Sequence, residues 1–253
     1  MDVVVTHPGF YTGMFPETDL QLGLPLSWET WPEVWEVMYE RGLYEVIKNA
    51  YDQHNLLFFP IPSENVSFVT KFPVSKVDDF KGKKIRAIGI MGKYAQALGA
   101  SVVVIPGEEL YMALKLGTVD GAIYGPSALQ DMKIAEVVNY WILPNICLNN
   151  MSLVFSKKSL NKLPEDIRNM VVNSSRYFVG DSGMEHASYS MKSYYVSLKN
   201  HQIKSLTLPE QEVIKMRNKR RPLWDELAAK SPNMQKGISI IKQLMKDLNK
   251  AVD

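Results

Sequence analysis

A single arginine, Arg86, stands inside the apolar stretch Lys84-Ile85-Arg86-Ala87-Ile88. A guanidinium at the end of an apolar strand has to be paired, because an isolated buried charge costs several kcal/mol. Its planar fork of donors matches a carboxylate through two parallel charge-assisted hydrogen bonds, which the point charge of a lysine does not. The partner is either an acidic side chain of the protein, with Glu108 and Glu109 nearby in sequence, or the carboxylate of a bound ligand. The residues alone leave the two equal. Three further side chains follow apolar runs. His7 and Tyr11 lie in His7-Pro8-Gly9-Phe10-Tyr11-Thr12-Gly13, a breaker-rich loop after Val3-Val4-Val5, and Tyr124 ends the run from Val119 just before Gly125-Pro126. Tyr11 can line a cleft or fill the core; a lone His7 can meet a ligand or be a satisfied structural group.

Other chemistry is thin. The sequence has no G-x-S-x-G, H-E-x-x-H, P-loop or G-x-G-x-x-G, and its histidines, His7, His54, His186 and His201, are too scattered for a recognisable metal set. Acidic pairs such as Asp78-Asp79 are neighbours in sequence, which does not place both in one cleft. No catalytic residue, cofactor or metal ligand is assigned. The one cysteine, Cys147, rules out an internal disulfide and reads as a buried inert thiol in an apolar run. A net charge of +2 with interleaved signs offers no nucleic-acid stripe, and the basic cluster Lys215 to Arg221 reads as a solvated helix face. No window approaches the roughly 18 apolar residues of a membrane span.

The elements that position Arg86 and Tyr124 come from one stretch, Lys81 to Tyr124. After Lys81-Gly82-Lys83, Ile85 to Ile88 reads as a buried strand, Gly92 to Leu98 as a helix and Val102 to Ile105 as a second strand. Glu108 to Leu116 is a helix stopped by Gly117, and Val119 to Tyr124 is a third strand. Continuous apolar strands separated by helices mean a parallel sheet covered on both faces, whose ligands sit past the carboxyl ends of the strands. Around it, Trp28, Trp31 and Trp35 have the spacing of one helical face, capped by Ser27, and read as a core stripe. Leu43 to His54 is a helix. Leu56 to Phe59 is a short strand ending in Pro60-Ile61-Pro62, and Val66 to Phe72 is another. Ser159 to Tyr195 is mostly helical, Ile203 to Leu208 a strand, Pro209 to Leu227 a helix and Ile238 to Val252 an amphipathic tail helix. The 253 residues suit one large or two modest domains.

The run K-G-K-K-I-R, then L-G-A, then E-E-L-Y-M-A-L-K-L-G-T-V-D-G-A resembles the substrate-binding proteins of TRAP transporters, the DctP-like family, and Leu163-Pro164-Glu165-Asp166 resembles that family's later helix start. The resemblance implies an α/β, two-lobed periplasmic-binding-protein-like fold with mixed sheets, crossing hinge strands and a long helix spanning both lobes. The expected division is 1–63 plus 150–190 for lobe I and 64–149 plus 191–253 for lobe II. It implies that Arg86 binds a ligand carboxylate, with Tyr124, Tyr11 and His7 as further ligand-binding candidates. Tyr124 occupies a position that is often Asn in the family, so ligand preference does not transfer. Some members carry a second arginine where Ser63 to Val69 has none, which favours a small monocarboxylate over an acid needing two cations.

The implied function is a periplasmic solute-binding protein that passes an organic acid to membrane permease subunits, with no enzymatic step. A ligand-sensing module or an α/β enzyme acting on a carboxylate would share the Arg86 dependence. Family members are exported and carry a signal peptide and a further strand-helix portion ahead of the segment that Met1 to Phe15 resembles. Val3-Val4-Val5, with the look of a fully buried strand, instead opens this chain. The expectation is a chain lacking its N-terminal portion, with apolar faces left uncovered.

Overall fold

The computed structural model describes residues 2–250. The chain begins with β1 (Val3–Thr6) and continues with α1 (Glu17–Leu22), α2 (Trp31–Trp35, running on as a π-helical turn through Glu40) and α3 (Leu43–Gln53). Then come β2 (Leu56–Thr70), β3 (Lys84–Arg86), α4 (Gly89–Ala97), β4 (Ser101–Val103), α5 (Leu110–Leu116), β5 (Gly121–Tyr124) and α6 (Ser127–Asp131). The remainder is β6 (Tyr140–Ser156), α7 (Lys157–Leu160), α8 (Glu165–Asn200), β7 (Lys204–Thr207), α9 (Glu210–Ala228) and α10 (Pro232–Asp247).

The strands lie in the order β1-β6-β2-β5-β3-β4, with β7 also on β6. As the apolar runs required, β4, β3 and β5 are parallel. β2 is antiparallel to both β5 and β6, so the sheet is mixed. β2 and β6 are long enough to serve two lobes. Their first-lobe ends pair beside β1, and their other ends pair beside β5 and β7. Between these regions the β2–β6 register shifts twice, at Pro62/Asn65 and at Val66/Phe68, and there the strands cross between the lobes.

One strand, not two short ones, therefore runs through Pro60 and Pro62. The prolines are two residues apart, so their nitrogens face the same edge, and between Leu56 and Pro62 that edge of β2 carries no strand. No ladder hydrogen bond is lost there. Likewise, β6 runs unbroken from Tyr140 to Ser156.

Four local expectations are overturned. β1 is an edge strand paired only with β6, leaving Val3 and Val5 exposed. The three tryptophans do not share a helical face, because Pro32 fixes the helix start at Trp31. Trp28 precedes it, fully buried, with Nε1 donating to the Leu148 carbonyl at 2.8 Å, whereas Trp35 is exposed. Ser27 hydrogen-bonds back to the Leu24 carbonyl instead of capping a helix. In the basic cluster, Arg220 turns inward, donating to the Leu26 carbonyl and lying over the Trp224 ring.

The tail helix α10 packs on α9 and on α1 and α3. Gly237 makes that approach possible, since a methyl there would overlap Leu20 and lie 3.2 Å from Leu43 Cδ1.

α8, about 54 Å long at 1.5 Å per residue, runs along the back of the crossing strands. It packs against β2, and Ser197 accepts from Gln130 of α6. Its crossing point on β2 is Gly183. A methyl there would overlap the Trp31 ring and lie 2.9 Å from the Pro62 carbonyl, whereas nothing lies within 4 Å of the corresponding position at Gly180.

The two glycines give a paired test. Alanine gains about 0.5–1 kcal/mol over glycine in a helix, but overpacking against backbone costs about 1–3 kcal/mol. Gly183→Ala should lower the urea midpoint and Gly180→Ala should raise it; equal shifts would mean that α8 does not cross β2 this closely.

Candidate functional site

The carboxyl ends of β1, β3, β4 and β5 and the crossing segments of β2 and β6 enclose a cleft of about 600 Å³. The sheet brings Arg86 to its floor, 5% exposed. The Arg86 Nε donates to the Ile105 carbonyl at 3.2 Å, which fixes the plane of the guanidinium. The Tyr124 ring lies 5.1 Å from Arg86 Cζ, in cation–π range. Burial pulls the pKa of Arg86 down, with Tyr124 and Glu108 acting in the opposite sense, yet no carboxylate forms an ion pair with it among the described residues. An arginine stays charged under these conditions. The cleft thus holds a buried cation whose terminal nitrogens lack a protein anion.

Three of the four residues singled out from sequence, Arg86, Tyr124 and His7, line this cleft together. Tyr11 does not line it; its hydroxyl accepts from Thr6 Oγ1 at 3.2 Å. The Tyr124 hydroxyl needs a glycine opposite, since a methyl at Gly107 would lie 2.8 Å from it. His7 caps the short turn Pro8–Phe10, its Nδ1 accepting from the Gly9 amide at 3.2 Å. Burial, and then the charge of Arg86, push the His7 pKa down to about 4, so its ring is neutral at physiological pH. Apolar walls come from Phe10, Met91, Val104 and Met151.

Two cleft residues escaped the sequence reading. Asn149 and Asn150 are adjacent in β6, so they point to opposite faces. Asn150 is fully buried with Nδ2 donating to the Gln21 carbonyl at 2.9 Å, whereas Asn149 lines the cleft with its amide 3.1 Å from His7 Nε2. Paired amides inside the apolar run Ile146 to Ser152 were the available signal.

The second is Glu64, 8% exposed at the register shift of β2. It accepts from the Ser127 amide at 2.9 Å, from Ser127 Oγ at 2.8 Å and from Ser190 Oγ. His186 Nε2 lies 3.8 Å away, too long for a hydrogen bond but in ion-pairing range. Burial raises the Glu64 pKa, but the combined pull of His186, Ser190 and Ser127 outweighs it, and the carboxyl sits below its ordinary value. A methyl at Gly125 would overlap this carboxylate. One ionised group therefore ties the crossing strand to the start of α6 and to α8.

Cys147 is buried and burial raises its thiol pKa, as expected of an inert thiol. No group of three or more His, Cys, Asp or Glu side chains is placed to hold a metal ion among the described residues. Nor is any described helix long and apolar enough to cross a membrane.

The Glu64–His186 contact predicts a pH dependence. The neighbouring carboxylate raises the His186 pKa, so the stabilisation is complete below the unfolded value near 6.5 and is lost as pH rises through the folded value. Wild-type protein should lose thermal stability as pH rises above about 6.5 more steeply than His186→Gln; parallel curves would remove the contact from the account.

The family model for DctP, bacterial extracellular solute-binding protein family 7, matches residues 1–231. The monocarboxylate 2-oxoacid-binding periplasmic protein of Nostoc sp. is 27% identical over 142 residues, 55% of this chain and 39% of that protein. This chain thus matches well under half the length of that curated relative. Among solved structures, the TRAP periplasmic solute-binding protein of Pseudoalteromonas atlantica, with bound sodium and pyruvate, aligns with a TM-score of 0.84 at 23% identity. It covers 98% of this chain and 77% of its own. That of Colwellia psychrerythraea, with bound calcium and pyruvate, aligns at 0.86 and 21%, with the same coverage. All three are named as binding proteins of the periplasm. The chain belongs to the DctP family of bacterial extracellular solute-binding proteins.

Proposed function

We propose that this chain is the solute-binding component of a TRAP-type uptake system, working in the periplasm. It captures a small monocarboxylate through Arg86 and presents it to a membrane permease. The observation that carries the proposal is the buried Arg86 guanidinium, oriented by the Ile105 carbonyl and without a protein carboxylate in ion-pairing contact among the described residues. A ligand carboxylate supplies the missing anion through paired, charge-assisted hydrogen bonds, and lobe closure strengthens the pair by excluding water. Tyr124 covers one face of the guanidinium, and the apolar walls suit a short carbon tail. The binding of 2-oxoacids by the Nostoc relative and the pyruvate in the two solved relatives support this class of ligand.

Those solved relatives also contain sodium or calcium. Among the described residues no group of three or more His, Cys, Asp or Glu side chains is placed to hold such an ion. Glu64 is engaged by Ser127 and Ser190, and Glu108 is the other acidic residue lining the cleft. The buried guanidinium is what supports Arg86 as the group that meets the ligand carboxylate.

The test is calorimetric titration with pyruvate, lactate, propionate and succinate, together with melting curves. Removing one partner of a buried charge pair costs about 2–5 kcal/mol, so Arg86→Leu should weaken acid binding by at least about 30-fold. Without ligand the same variant should melt at or above the wild-type temperature, because it deletes a buried charge with no protein anion. Unchanged acid affinity in Arg86→Leu would sink the proposal.

A further inference from the structure

The charges lining the cleft do not balance. Among the described residues Arg86 is the one charged basic side chain that lines it, since His7 is neutral at physiological pH, and the acidic lining residues are Glu64 and Glu108. The segment after β4 carries Glu108 to the rim. Ile105 holds the Arg86 Nε through its carbonyl, Gly107 leaves room for the Tyr124 hydroxyl, and the exposed Glu108 follows directly. Tyr124 senses how these charges are arranged. Burial pushes its hydroxyl pKa up, Arg86 pulls it down, and Glu64 and Glu108 both push it up. The ring that covers the guanidinium therefore ends at an oxygen within reach of both anions. Glu64 is ionised, and the amide and hydroxyl donors of Ser127 and Ser190 that bind it are uncharged, so they leave its net charge in place. His186 offsets part of that charge while protonated.

We propose that Glu64 and Glu108 are specificity-determining residues, which turn away any acid that carries a second carboxylate. The inference rests on the reading of Arg86 as the carboxylate anchor and adds to it the means by which the cleft counts charges. An acid with one carboxylate on Arg86 has used the cation. A second carboxylate enters a cavity whose apolar walls focus the field of two like charges, and it loses water there without gaining a partner. Like charges brought together in this way suppress a wrong ligand more effectively than a missing contact does. An uncharged group of the same shape meets no such penalty. The two carboxylates act differently in one respect: Glu64 is built into the frame, whereas Glu108 stands on an exposed turn and can be exchanged without disturbing the crossing strands.

The test is calorimetry on the full chain at pH 8, where the charge on His186 is reduced, with succinate and with succinamate, in which one carboxylate is replaced by an uncharged amide of the same shape. Wild type should bind succinamate more tightly by about tenfold or more. Glu108→Gln should narrow the ratio to about threefold or less. Glu108→Lys should bring succinate to parity with succinamate or beyond it, a gain of binding that a misfolded variant cannot produce. Equal affinity of wild type for the two compounds, with both lost in Arg86→Leu, would overturn this inference and leave the Arg86 reading standing. A preference for succinamate that is the same in wild type and in both Glu108 variants would do likewise, as would binding of propionate without binding of succinamate. Binding of none of the three acids would overturn both.

Discussion

A cation held out of water without its anion is the constraint on which this structure turns. Arg86 sits at the carboxyl end of a parallel strand, its Nε bonded to the Ile105 carbonyl and one face covered by Tyr124. Each contact orients the guanidinium, and none neutralises it. The folded state carries that cost because the rest of the sheet is well buried: Ile85 and Ala122, which flank this position, are essentially inaccessible to solvent. On the proposed reading, stability given up at one point becomes binding free energy when an anion arrives.

The opposite charge in the same cleft is treated differently. Glu64 is nearly as buried as Arg86, but hydroxyl and amide donors from α6 and α8 surround it, so it stays ionised and structurally committed. It lies where the β2–β6 register shifts, on the segment through which the two lobes are joined. Glu64 thus serves the architecture, and on the proposed reading Arg86 is left for the solute. This separation explains how Glu64 and Arg86 line one cavity without an ion pair between them.

How much of this was legible in the sequence depended on the range of the interactions involved. The strands and helices between Lys84 and Tyr124 follow from local periodicity and the Gly117 stop, and Arg86 stood out because a charge in an apolar run demands a partner. The prolines of β2 misled, because proline breaks a strand only where its missing N–H would have been used, and that depends on a neighbour's absence far along the chain. The tryptophan spacing misled because Pro32 sets the helix start after Trp28. Asn149 and Glu64 escaped because their roles depend on His7, Ser127 and Ser190, residues 63 to 142 positions away in sequence. Tyr11 shares a loop with His7, but its hydroxyl meets Thr6 instead of the cleft.

The free side of β1 has a consequence for the behaviour of the chain in solution. Among the described residues, its backbone donors and acceptors on that side face no strand, and Val3 and Val5 are 48% and 56% exposed. Such an edge is a template for another strand, and neither a proline nor a lysine within Val3–Thr6 blunts it. A strand added there would extend the sheet at its β1 edge and leave the cleft, past the strands' carboxyl ends, open to small solutes.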